Sequence, residues 1–154
     1  MSEKIIHLNE AAIKAELKEL VRGSVEETLN ELLEQAAEEA VGVAFPSELT
    51  ALLSELNGDR WLLFSTKEIM ETVTLNREAL LECYAGIGRH IFFAGNGCGD
   101  CYCYNIDETG QVDDKHIYLW LHETNETELV ATSITELIAR YYLDELQLLC
   151  SVSE

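Results

Sequence analysis

The residue types best suited to chemistry gather once, in Cys98-Gly99-Asp100-Cys101-Tyr102-Cys103. Thiolates at C-x-x-C-x-C spacing can ligate zinc, and His90, His116 or His122 could complete four ligands. Two features argue against that reading. Structural zinc sites usually pair two such knuckles, and this chain has one. In a strand, Cys101 and Cys103 would also share one face, where a thiol packs as a small apolar residue. No cofactor is therefore expected. Cys98, Cys101 and Cys103 are the thiols on which any metal or redox role would depend.

Gly95-Asn96-Gly97-Cys98-Gly99 invites comparison with a phosphate-binding loop. It lacks the Lys-Ser/Thr pair, and a strand follows it where a helix N-terminus would be needed. It reads as a turn with positive-φ positions. No spacing of Ser, Cys, His and carboxylate singles out a nucleophile with its base. Ser24, Ser65 and Ser133 are accounted for as helix caps. No catalytic residue and no enzyme are expected. Trp61 and Trp120 are either core residues or, if exposed beside polar groups, interface anchors.

The chain has 154 residues, with 29 acidic and 10 basic side chains and a net charge of −19. That balance excludes direct binding to nucleic-acid phosphates and disfavours an anionic membrane surface. It suits a basic protein partner. The acids concentrate late: residues 100–154 hold twelve against two bases. Asp107, Glu108, Asp113 and Asp114 form the densest part and are candidate partner contacts, together with Trp61 and Trp120. The chain starts without an apolar run of signal-peptide length, and no stretch reaches 18 apolar residues, so a cytoplasmic location is expected.

The elements that must position these residues follow from periodicity. Ile13, Leu17, Leu20 and Val21 predict a helix that stops at Gly23. Ser24 with Glu27 predicts the start of the next, whose buried stripe is Val25, Leu29, Leu32, Leu33, Ala36 and Ala40. Pro46 opens a helix burying Leu49, Leu52, Leu53 and Leu56 and ending at Asn57-Gly58. Trp61–Phe64 reads as a short strand. Ser65 with Glu68 caps a short helix, and Asn76 caps one more over Ala79, Leu80 and Cys83. Residues 90–94, 101–106 and 116–121 read as strands, the last two as antiparallel partners, and residues 128–131 as a further short strand. Ser133 caps a last helix with Ile134, Leu137, Ile138, Tyr141 and Tyr142 inward. The order implies a single α+β domain, a mostly antiparallel sheet flanked by helices.

These residues also carry a resemblance. Phe45-Pro46-Ser47-Glu48-Leu49 through Asn57-Gly58 resembles the opening helix of the SMI1/KNR4 family, also called the SUKH superfamily. Trp61–Ile69, the strand–turn–strand His90–Ile106, Tyr118-Leu119-Trp120-Leu121-His122-Glu123 and Val130–Ile138 are similar to its later segments, in order. The resemblance implies residues 24–154 as the family-like domain, with residues 1–23 a helical extension. It implies binding without catalysis. Many bacterial members look like immunity proteins against toxins, often nucleases, of polymorphic or contact-dependent systems; fungal members resemble regulatory scaffolds. The expected partner is thus a basic toxin domain, with a scaffold role, or a cysteine-cluster metal or redox role, as alternatives. Residues 14–39 are also similar to a helical segment of mutator-type transposases, but no basic DNA surface or transposase-like acidic triad accompanies it.

Overall fold

The computed structural model describes residues 10–143. The helices are α1 (Glu10–Val41), α2 (Ser47–Glu55), α3 (Thr66–Leu75) and α4 (Ile134–Tyr142). The strands are β1 (His90–Gly95), β2 (Cys101–Asn105), β3 (Ile117–Leu121) and β4 (Glu126–Ala131). They form one antiparallel meander in the order β1-β2-β3-β4. The α+β architecture is as expected.

The sheet is buried on both faces at its centre. Tyr102, Tyr104, Ile91, Phe93, Ile117 and Leu119 pack with helical residues Ala37, Leu49, Leu53, Ile69 and Leu137. On the other face, Phe92, Cys103 and Trp120 pack under Ile87, with Leu80 and Tyr84 beside them. The alternation of Cys101 and Cys103 with Tyr102 and Tyr104 does put thiols and phenols on opposite faces.

Several local expectations fail for identifiable reasons. No stop occurs at Gly23: α1 runs through it, and Ser24 is interior, its carbonyl accepting from Thr28 Oγ1 at 2.9 Å. A glycine weakens a helix interior by about 1 kcal/mol, which is too little to break a long one. The 23/24 boundary therefore falls inside a continuous helix. Val25, Leu29 and Leu32, expected in the core, are exposed; Ala37 and Val41 are the buried positions of α1. Only its second half meets the domain. There Asn57 Nδ2 donates to Asn30 Oδ1 (2.6 Å), Thr50 Oγ1 to Glu34 (2.8 Å), and the Phe45 amide to Glu38 (2.6 Å).

Pro46 is the residue before α2, and Leu56, its extended C-cap, is exposed, unlike Leu49 and Leu53. Asn76 does not cap a separate helix: it closes α3 and is the first residue of a single π turn, Asn76–Leu80, with Ala79 and Cys83 exposed. Trp61–Phe64 forms no named strand, but Leu63 bridges Ala94, and the Gly95 amide donates to Leu62 O at 2.9 Å. The capping box of Ser65 with Glu68 forms as read. Ser133 caps α4, accepting from the Glu136 amide at 3.0 Å, while Tyr142 turns outward. β4 is the far edge of the sheet, with residues 126–129 exposed.

Candidate partner-binding surface

Trp61 is the most exposed large apolar side chain described, at 82%. The turn beneath it is firmly held. Asp59 Oδ1 accepts from the amides of Trp61, Leu62 and Leu63 at 2.8–2.9 Å. Partial burial would raise the Asp59 carboxyl, but those amides and Tyr142 hold it below the usual aspartate value. Arg60 takes a left-handed conformation (φ 69°) at the tip. Beyond Trp61 the chain is fixed to the β1 edge by the Leu63–Ala94 bridge. A large ring thus stands in solvent on backbone that cannot easily withdraw it.

The same end of the sheet carries the glycine-rich turn between β1 and β2. Asp100 accepts from the His122 amide (3.0 Å), His122 Nδ1 (2.7 Å) and Asn96 Nδ2 (3.1 Å). Burial acts to raise its carboxyl, and the His122 and Asn96 bonds more than offset it, leaving it low. Because a carboxylate only accepts, His122 carries its proton on Nδ1. Gly99 has φ +99°, and a Cβ there would lie 3.0 Å from that imidazole. The glycine run is therefore a close-packed turn, as read from sequence, with Cys98 exposed at it.

The acidic loop lies at the opposite end, between β2 and β3. Asp107 Oδ1 accepts from Thr109 N and Oγ1 and from Gln111 N at 2.7–2.9 Å, making a tight turn. Those bonds hold its carboxyl low. Glu108 is exposed, 3.8 Å from Arg89. Asp113 accepts from Tyr118 Oη (2.8 Å) and His116 Nδ1 (3.0 Å), while Asp114 is exposed. The four acids thus share one loop, but Trp61 is not beside them. Trp120 belongs to neither end. It is 5% exposed, packs edge-on against Tyr84 and Phe92, and donates from Nε1 to Asn125 Oδ1 at 2.9 Å. As a contact candidate it is corrected: its β3 position turns it into the core, where a partner cannot reach the ring.

The cysteines are separated by burial. Burial and the Asp100 charge push the Cys101 thiol to about 11, and burial pushes the Cys103 thiol well above its ordinary value. Neither forms thiolate readily at neutral pH. Among the described residues, no group of three or more His, Cys, Asp or Glu is placed to hold a metal ion. None of their helices is long and apolar enough to cross a membrane.

Sequence reasoning missed Asp59 and the Asp100–His122 pair. The signal for Asp59 was available, since an Asp before two or three free amides favours an Asx-type turn. The His122 contact joins residues 22 apart and had no local signal.

A four-stranded antiparallel meander with helices packed on one face defines an α+β domain. The chain belongs to the SMI1 / KNR4 family (SUKH-1), whose description matches residues 27–140. That family includes immunity proteins and consists generally of binding modules. No curated protein and no solved structure matches the chain.

Proposed function

We propose that this chain is a non-enzymatic immunity protein that acts in the cytoplasm by binding and neutralising a basic toxin domain, such as a nuclease. Family membership and the net charge of −19 support the class of partner. The observation that carries the binding role is Trp61, 82% exposed on a turn fixed by three amide bonds to Asp59. An aromatic carried on a preformed turn loses little backbone entropy on docking, as suits an interface anchor. Asp107, Glu108, Asp113 and Asp114 serve a different purpose in this reading. Sited at the far end, they attract a cationic partner from a distance and accelerate encounter.

Co-expression with the product of a neighbouring toxin gene tests the proposal. A stable complex and protected cells are expected. Trp61→Ala should weaken the complex at least about tenfold, as loss of an anchor does. Glu108→Lys with Asp114→Lys should slow association at low salt and leave dissociation nearly unchanged. A lack of any complex or protection, with a housekeeping protein captured instead, would replace the immunity role with a regulatory scaffold.

A further inference from the structure

The two edges of the sheet differ. The β1 edge is covered: Leu63 bridges Ala94, the Phe64 amide donates to Phe93 O at 2.9 Å, and the Gly95 amide donates to Leu62 O at 2.9 Å. Among the described residues no strand pairs with the outer side of β4. Residues 126–129 of β4 are exposed, while Val130 and Ala131 are buried and the Val130 carbonyl accepts from Arg140 of α4. The open stretch is roughly 13 Å long at strand spacing. Alternate residues along it turn both N–H and C=O outward, which is a template for a further strand.

This stretch is held in place before anything docks. The turn into β4 carries Asn125 at φ 58°. Asn125 Oδ1 accepts from Trp120 Nε1 at 2.9 Å, its Nδ2 donates to Ala85 O at 3.1 Å, and its amide donates to Leu121 O at 2.8 Å. From there the register against β3 runs unbroken, from Leu121 opposite Glu126 to Tyr118 opposite Leu129. An edge fixed in this way needs little ordering to accept a partner.

The side chains state which strand fits. Glu126 and Glu128 share a face with Leu121 and Leu119, and Thr127 and Leu129 share the other with Trp120 and Tyr118. Between Lys115 and Arg140 the sequence has no lysine or arginine. Among the described residues neither Glu126 nor Glu128 has an ion pair. Cross-strand neighbours of opposite charge attract, and like charges repel. A matching strand therefore sets bases at alternate positions, opposite the two glutamates, and hydroxyl or β-branched side chains opposite Thr127 and Leu129.

We propose that the open edge of β4 takes up an extended segment of the partner as a further strand, with Lys or Arg facing Glu126 and Glu128. The proposal rests on the reading above that the partner is a basic protein, and it adds where and how that partner is gripped. An eight-residue peptide of alternating lysine and threonine, blocked at both ends, tests it on the full chain at low salt. Binding is expected with a Kd below about 1 mM, with slowed amide exchange at residues 126–129. The same peptide N-methylated at every residue keeps its charge and cannot form the ladder, so it should bind at least about tenfold more weakly. Glu126→Lys with Glu128→Lys, both at exposed positions, should lose the lysine peptide at least about tenfold and gain a glutamate–threonine peptide. No binding, equal binding of the N-methylated peptide, or protection at residues 107–114 in place of 126–129 overturns the proposal. So does a wild-type dimer with residues 126–129 already protected, which makes a second copy the occupant. A toxin complex that leaves 126–129 unprotected overturns it and keeps the immunity role. Uptake of the peptide by a chain that captures no toxin keeps the edge and replaces the toxin with another basic partner.

Discussion

His122 Nδ1 lies 2.7 Å from Asp100 Oδ1, and this contact ties the β1–β2 turn to the end of β3. The bond sets a pH dependence. The Asp100 carboxyl is held below its ordinary 3.8, so it favours the folded state fully above that value. The contribution disappears as pH falls through the lower folded value. Asp59 and Asp113, also held low, act in the same window. Asp100→Asn should cost about 1–3 kcal/mol at neutral pH: one amide oxygen still accepts from His122, but the charge is lost and an NH2 group faces the Asn96 Nδ2 donor. It should also flatten stability against pH below about 4. Urea unfolding across pH measures both; an unchanged acid slope would assign it to other carboxylates.

His90 acts at higher pH. Burial lowers its pKa from 6.5, partly opposed by the hydrogen bond to Asn105. A depressed histidine favours folding fully above 6.5 and loses that contribution as pH falls through its folded value. Stability should begin to fall below about 6.5, well before the carboxylates titrate. His90→Asn should remove this early decline, as read by the unfolding midpoint between pH 7 and 5.

The two tryptophans should behave oppositely. Trp120→Ala empties a packed site between Phe92 and Tyr84 and should cost about 3–5 kcal/mol. Trp61→Ala should change stability by no more than about 0.5 kcal/mol. In single-tryptophan variants, acrylamide should quench Trp61 strongly and Trp120 weakly. Equal quenching would contradict the burial described.

Tyr104 is 1% exposed, and its hydroxyl has no hydrogen-bond partner among the described residues. A buried donor left without a partner carries its full desolvation cost. Tyr104→Phe removes that cost while keeping the ring beside Phe93 and should stabilise by about 1 kcal/mol. A loss of stability in urea unfolding would show that the hydroxyl is satisfied in solution.

Gly58 has φ +84°, and a Cβ there would lie 2.8 Å from the Ser65 amide nitrogen. Gly58→Ala meets both backbone strain and a clash at the cap of α3, so it should destabilise by more than about 1 kcal/mol. Gly97, also at positive φ but with open space around it, should show the strain alone. The difference in urea midpoint between the two alanine variants isolates the clash.

The contrast between Ser65 and Ser24 shows what was legible in the sequence. Both head a Ser-x-x-Glu pattern, yet only Ser65 caps, because Asn57-Gly58 and Trp61–Phe64 leave no helix for the pattern to interrupt. Ser24 lies inside helical sequence on both sides, and propagation overrides the local signal. Period-two alternation located β2 and β3 and both cysteine positions, since a central strand is sorted by its own neighbours. Periodicity also found the apolar stripe of α1 but assigned it to the core. Spacing reports that a face is apolar, not what stands opposite it. For the same reason Trp61 and Trp120 could not be separated without the sheet register that turns Trp120 inward.

Among the described residues β4 has a neighbouring strand on one side only, and Glu126 and Glu128 stand on that outer strand with Thr127 and Leu129. An open strand is a template for endless stacking, copy upon copy, and charge on the edge is one of the means by which chains avoid it. Like charges brought into register repel each time another copy tries to add. That protection is electrical, so it weakens as salt shortens the screening length to about 8 Å at 0.15 M and below at higher strength. The acidity proposed above to draw a basic partner also guards this edge strand against fibre formation, and concentrated brine weakens both effects together.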